Sequence, residues 1–189
     1  MFLEHRYNID ELVKRCKAGE RKSQETLYKQ FASKMLGVCL RYATDKMEAE
    51  DMLQNGFIRV FQKINDFRGE GSFEGWMRRI MVNCSIEYYR RNNKMMQLVD
   101  LDEAGMEASD NPLATAKLEA KDLVMLIQRL SPGYRIVFNL YAIEGYSHKE
   151  IAAIVGITEG ASKSQLSRAR SILREQVLKM EGKTYGYAG

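Results

Sequence analysis

The run Ser147-His148-Lys149-Glu150-Ile151-Ala152, followed by Gly156-Ile157-Thr158, decides how the C-terminal part of this chain is read. Ser147 with Glu150 three residues on is a capping-box signal that opens a short helix. Ala152 is small where a second helix must cross close by, and Gly156 can take the positive φ of a tight turn. Ile157 then plugs the turn, and Thr158 can cap the next helix. A short helix, a glycine turn and a basic polar helix make the helix-turn-helix pattern, whose second helix enters the major groove of duplex DNA. Within Glu159 to Arg174 the spacing turns Leu166, Ala169 and Leu173 inward. That leaves Lys163, Ser164, Gln165, Ser167, Arg168 and Arg170 for phosphates and base edges. An ordinary helical hairpin with a solvated basic face is the competing reading. Ser162 stands where this motif usually has an apolar residue, and it is expected to bond back to the carbonyl four residues earlier. His148 is expected to be solvated, with a phosphate contact as the alternative.

Working back from this motif, apolar residues recur at three- and four-residue spacing in almost every stretch, with no sustained period-two alternation. The chain is therefore expected to be all α. Helices are predicted from about Ile9 to Ala18, from Ser23 to about Tyr42, and from a capping-box signal at Asp45 and Glu48 through Ile64. The loop from Phe67 to Gly71 holds two glycines, and Ser72 can cap a fourth helix running through Trp76 and Ile86 to Arg90 and Arg91. Further helices are expected from Leu113 to Leu130, from Pro132, capped by Ser131, to Glu144, from Ser147 to Val155, and from Glu159 to about Met180. This divides the chain into a helical domain at 9–95, a linker at 96–112 and a helix-turn-helix domain at 113–180.

Charge sorts with this division. The net formal charge of +4 is modest, but every charged side chain between Met95 and Ala116 is acidic, with basic clusters on either side. The segment from Gln97 to Asn111 has few large apolar residues and reads as a mobile tether. At 45% apolar and 29% charged, the 189 residues can bury real cores. No apolar run of about 18 residues or more exists to span a bilayer, and Met1 to Asp10 lacks the apolar core of a signal peptide, so a cytoplasmic location is expected. Cys16, Cys39 and Cys84 are odd in number and scattered through helical contexts, which suits buried thiols rather than a disulfide framework. His5 and His148 are the two histidines, neither near a cysteine, so no metal site and no cofactor is expected.

With both halves in view, the chain from about Ile9 to Met180 resembles the extracytoplasmic-function group of bacterial RNA polymerase sigma factors. The run Ala49-Glu50-Asp51-Met52-Leu53-Gln54-Asn55-Gly56-Phe57 resembles that family's core-binding helix. The resemblance implies docking on the clamp helices of the largest polymerase subunit, with Asp51 and Gln54 as contacts. Asn55 departs from the acidic residue expected at its position. Acceptors on an exposed helix face suit arginines on a partner. The stretch from Phe67 to Asn83 is similar to the family's promoter-melting and minus-ten segment. There the resemblance implies that Phe67 and Asn83 flank a flipped non-template base. Lys63, Arg68 and the loop from Gly69 to Ser72 complete the pocket, while Arg78, Arg79, Arg90 and Arg91 hold phosphates. Phe73, Trp76 and Ile80 are read as core. The C-terminal motif is similar to the family's minus-thirty-five reader, with Gln165 where many members have arginine. Gln can read adenine bidentately.

The resemblance implies a sigma factor that binds core polymerase, including the flap of the second-largest subunit, and promoter DNA, under an anti-sigma factor. It implies two weak DNA-reading modules on a tether, each raising the effective concentration of the other. No catalysis is expected, since no nucleophile with a nearby base, phosphate loop or metal set is visible. A stand-alone helix-turn-helix regulator and a helical protein adaptor are the readings from other classes. The double-glycine loop and the polar face of the third helix speak against the first.

Overall fold

A computed structural model describes residues 8–96 and 120–185. The described residues contain helices and turns and no strand. In order they are α1 (Ile9–Lys17), α2 (Arg21–Leu40), α3 (Lys46–Lys63), a 3-10 turn (Ile64–Asp66), α4 (Phe73–Met96), α5 (Ala120–Gln128), α6 (Pro132–Phe138), a π turn (Asn139–Ile143), α7 (His148–Val155) and α8 (Glu159–Tyr185). They fall into two compact units. One holds the described residues up to Cys39 together with Lys46–Ser85, and the other holds Leu40–Asp45 and the described residues from Ile86 on.

In the first unit, Asn8 caps α1 by accepting from the Asp10 N–H at 3.1 Å, and Leu12, Val13 and Cys16 form its buried face. Helix α2 begins at Arg21, two residues before the expected Ser23. Glu20 is the cause: its carbonyl accepts from the Gln24 N–H at 3.1 Å, and its carboxylate accepts from the Ser23 hydroxyl at 3.0 Å. Leu27, Phe31, Met35 and Val38 of α2 meet Met52, Leu53, Phe57 and Val60 of α3 and Met77 and Met81 of α4 in one core. Each such side chain, fully buried, contributes about 1.5–3 kcal/mol of transfer free energy. Helices α3 and α4 come close at Gly56, where a Cβ would overlap the sulfur of the fully buried Met81. The Ser72 hydroxyl accepts from the Gly75 N–H at 3.1 Å and opens α4 as expected. That helix continues beyond Arg91 to Met96, because no glycine or proline interrupts it.

The second unit has its core in Leu126, Ile127, Leu130, Ile136, Val137, Leu140, Ile151, Val155, Leu166, Ala169 and Leu173. Two expectations change here. Ser131 stands at the N-cap of α6 without a side-chain capping bond, and Pro132 takes the first helical position. The single helix expected from Pro132 to Glu144 is α6 followed by a π turn. The buried Asn139 amide donates to the Arg135 carbonyl at 2.9 Å, and the Glu144 N–H reaches back five residues to the Asn139 carbonyl at 3.0 Å. The Arg135 carbonyl also keeps the backbone N–H of Asn139, and the five-residue bond marks the π turn that follows. The expected linker from Gln97 onward and the start of the fifth helix, residues 113–119, lie outside the described residues.

Candidate nucleic-acid interface

Two glycines shape the loop between α3 and α4. Gly69 and Gly71 have φ of 78° and 113°, values that L side chains rarely adopt, so the chain reverses between Phe67 and Ser72. Behind the loop, Phe67, Phe73 and Trp76 form an aromatic cluster with ring centroids 5.1–5.6 Å apart. In front of it lies a cavity of about 500 Å³ walled by Phe67, Trp76, Asp66, Arg68, Ser72 and Arg79. This size falls in the range of small-ligand pockets. Its wall joins aromatic faces to carboxylates and guanidinium groups, so it offers both donors and acceptors beside a stacking surface. That is the chemistry a nucleobase edge and face require.

The sequence reading placed Trp76 in the core. Instead it is half-buried and forms part of the cavity wall, because the loop leaves one side of its ring uncovered. Phe73 is buried, as expected. Glu70, within the loop expected to complete the pocket, lines the cavity, and so does Asp66, which the sequence reading leaves out because an isolated acidic residue carries no local signal. Lys63 and Asn83 are exposed and are not among the lining residues. Asn83 lies one turn beyond Arg79 on α4, whose i, i+4 spacing puts the two on one face. Arg79, Arg90 and Arg91 are exposed and Arg78 is half-buried. Lys17 of α1 supports the loop from behind: its ammonium donates to the Phe67 carbonyl at 2.6 Å and lies 5.9 Å from that ring's centroid.

On α3, Asp51, Gln54 and Asn55 are all exposed. The Asn55 amide donates to the Asp51 carbonyl at 2.9 Å, which anchors it along its own helix. Met47 and Ile58, exposed at 72% and 55%, extend the same face by one turn each way, a pair of apolar side chains that the sequence reading passed over.

The helix-turn-helix geometry follows the expectation closely. Ser147 and Glu150 form a reciprocal capping box, and Gly156 ends α7 at φ 82°. Its bonds with the Ser147 side chain and then with the Ser147 backbone hold the Glu150 carboxyl below its ordinary value. The Thr158 hydroxyl accepts from the Ala161 N–H at 3.0 Å and caps α8. Leu166, Ala169 and Leu173 are buried. Lys163 and Ser164 are exposed, the former paired with Glu159 at 2.9 Å. Ser167 and Arg170 are half-buried, and Arg168 donates to the Tyr134 hydroxyl of α6 at 3.3 Å. Gln165 is half-buried, with its side-chain oxygen turned toward Gly133.

Two expectations at this motif are corrected. Ser162 is fully buried, and its hydroxyl meets His148 Nδ1 at 2.9 Å. His148 is half-buried rather than solvated, because Tyr141 stacks on its ring at 4.5 Å. Burial first, then the Lys163 charge, holds the imidazole below its ordinary value.

Cys16, Cys39 and Cys84 are free and buried. Among the described residues there is no group of three or more His, Cys, Asp or Glu side chains able to hold a metal, and no helix is long and apolar enough to cross a membrane.

Family models for Sigma-70 region 2 and Sigma-70 region 4 match residues 27–95 and 120–173. The ECF RNA polymerase sigma factor SigE of Mycolicibacterium smegmatis is 32% identical over 86% of this chain and 64% of its own length. The RNA polymerase sigma-H factor of Pseudomonas aeruginosa is 26% identical over 86% of this chain and 90% of its own. The ECF RNA polymerase sigma-E factor of Escherichia coli is 26% identical over 88% and 92%. The chain thus spans just under two thirds of the first relative and nine-tenths or more of the other two. Among solved structures, the sigma factor RpoE bound to the anti-sigma factor NepR from Bartonella quintana is 22% identical, covering 82% of this chain and 96% of that one, at a TM-score of 0.47. Region 2 followed by region 4 in one helical chain, with relatives along both, makes this protein a member of the extracytoplasmic-function group of RNA polymerase sigma factors.

Proposed function

We propose that the chain directs bacterial core polymerase to promoters and opens them. Residues 9–95 serve as the module that binds core and the minus-ten element, 96–112 as a tether, and 113–180 as the minus-thirty-five reader. The observation that carries this reading is the cavity beside the double-glycine loop, where Phe67 and Trp76 offer ring faces next to Asp66, Arg68, Ser72 and Arg79. A base leaving the stack loses a few kcal/mol, and an aromatic wall with polar groups at its edge offsets that loss. In this reading Gly69 lets the loop backbone come close, while Lys63, Arg78, Arg79, Arg90 and Arg91 take the phosphates. Asn83 meets the displaced strand one turn beyond the cavity.

The exposed face of α3 is the proposed seat of the clamp helices. Met47 and Ile58 would be the apolar anchors, with Asp51, Gln54 and Asn55 between them as acceptors for basic groups. On α8, Lys163, Ser164, Gln165, Ser167, Arg168 and Arg170 read or grip the minus-thirty-five duplex, and the flap of the second-largest subunit holds this module in place. RNA synthesis belongs to the polymerase. An anti-sigma factor regulates the chain in the cytoplasm by covering these surfaces.

The test is co-purification with bacterial core polymerase, followed by permanganate mapping of promoter opening and run-off transcription. Wild type binds core and opens a promoter, while Trp76→Ala binds core and fails to open. A wild-type chain that ignores polymerase yet binds duplex DNA alone would instead be a free-standing regulator.

A further inference from the structure

The helix-turn-helix contains a polar contact that its motif does not call for. Ser162 lies in the first turns of α8, next to Lys163 and Ser164, and is fully buried where the helix crosses α7. Its hydroxyl is 2.9 Å from Nδ1 of His148, the first residue of α7. The His148 ring is stacked at 22° on Tyr141 of the π turn, and the Arg170 guanidinium lies 5.6 Å from the centroid of that tyrosine on the same cluster. Three elements therefore meet at one imidazole: the π turn below it, α7 carrying it, and α8 bonded to it.

A buried hydroxyl without a partner is costly, and an apolar residue here would need none. We propose that His148 and Ser162 act together as a positioning pair. They set the angle of the recognition helix against α7, so that minus-thirty-five binding depends on the neutral imidazole. This rests on the promoter-reading function proposed above.

The groups facing His148 decide which form of the ring is present. Lys163 and Arg170 on α8 are cationic, Tyr141 of the π turn stacks on the ring, and Glu159 on α8 is a carboxylate already paired with Lys163 and also under the field of Lys149 on α7. Burial and Lys163 lower the imidazole value, with a smaller contribution from Arg170 in the same direction and Glu159 opposing them. In the neutral ring with its proton on Nε2, the Ser162 hydroxyl donates to Nδ1. Protonation makes Nδ1 a donor, so the buried Ser162 hydroxyl must turn its own hydrogen away and lose its acceptor. Since the folded value lies below the ordinary 6.5, the bond with Ser162 as donor is intact above that pH and is lost as pH falls through 6.5 and then through the folded value.

The experiment uses the full chain bound to core polymerase, with a duplex selected from a random pool by the wild-type holoenzyme as the probe. Ser162→Ala and His148→Leu are each expected to weaken duplex binding about tenfold at pH 7.5, because the first removes the α8 partner of the half-buried His148 ring and the second leaves the fully buried Ser162 hydroxyl without its acceptor. The double variant, with no polar group left to satisfy, is expected to recover most of that loss and to lose the fall in affinity between pH 7 and pH 5.5. Additive losses, or a pH profile unchanged in the double variant, overturn the pair. A wild-type holoenzyme that selects no duplex overturns the promoter reading and the pair with it. A second measurement holds if a variant folds poorly. In the free protein, NMR titration of His148, assigned against His5→Gln, should show a value below 6.5 that rises in Ser162→Ala. A titration unmoved by that substitution also overturns the pair.

Discussion

The Lys17 ammonium donates to the carbonyl oxygen of Phe67, fifty positions away in sequence, at 2.6 Å. It ties α1 to the loop that walls the cavity, and Lys17 also lies 5.9 Å from the ring of the same phenylalanine. A cation held this way fixes both the backbone and the ring of one residue. Lys17→Met is expected to lower the rate of promoter opening about tenfold, the worth of one charge-assisted hydrogen bond, with core binding unchanged. Permanganate mapping on duplex and pre-melted templates checks this. A positioning role leaves the salt dependence of binding as in wild type, whereas a phosphate contact by Lys17 would reduce its slope.

The exposed stripe on α3 yields a prediction about polymerase binding. Ile58→Asp is expected to weaken core association by tenfold or more, since an exposed apolar side chain at one end of the proposed clamp-helix face is replaced by a charge (about 1.4 kcal/mol per tenfold). Asp51→Ala should do the same to a smaller extent. Lys29→Ala, on α2 and paired with Glu25 at the surface, should have no effect. Titration of labelled chain with core polymerase measures all three.

Packing at Gly56 sets a limit on the fold itself. Gly56→Ala puts a methyl group against the sulfur and terminal methyl of the fully buried Met81, so the end of that side chain must shift within the core. Overpacking of this kind costs about 1–3 kcal/mol. Thermal unfolding followed by circular dichroism should show Tm lowered by roughly 4–8 °C per kcal/mol, the response of a unit of this size. Gly37→Ala, where a Cβ meets nothing within 4 Å, is the control and should not lower Tm.

Burial, followed by the nearby Glu20 carboxylate, pushes the Cys16 thiol up to about 11. The thiolate is the reactive form, so at pH 8 Cys16 is expected to resist iodoacetamide in the native chain and to react once the chain is unfolded in urea. Peptide mass spectrometry before and after denaturation measures this. Native labelling at the rate of a free cysteine would contradict the burial of α1.

The sequence by itself determined which segments are helical and how the C-terminal motif is built. Those signals act within about one turn: the Ser147–Glu150 box, the turn at Gly156, the cap at Thr158 and the inward row Leu166, Ala169 and Leu173 all appear as read. It also carried the family resemblance, because that rests on the order of residues along the chain. The tertiary structure alone decided which polar and aromatic groups meet. Trp76 has the spacing of a core residue, and only the loop folded beside it leaves one side of its ring facing a cavity. Asn139 looks like an ordinary helical residue, and only the fold buries it with its amide on the Arg41 and Arg135 carbonyls at the start of a π turn. Ser162 was assigned a bond along its own helix, and its partner is an imidazole on another. Lys17 carried no signal at all. In each case the partner is chosen by distance and desolvation after the helices pack, and a buried donor or acceptor takes whichever group the fold brings within reach.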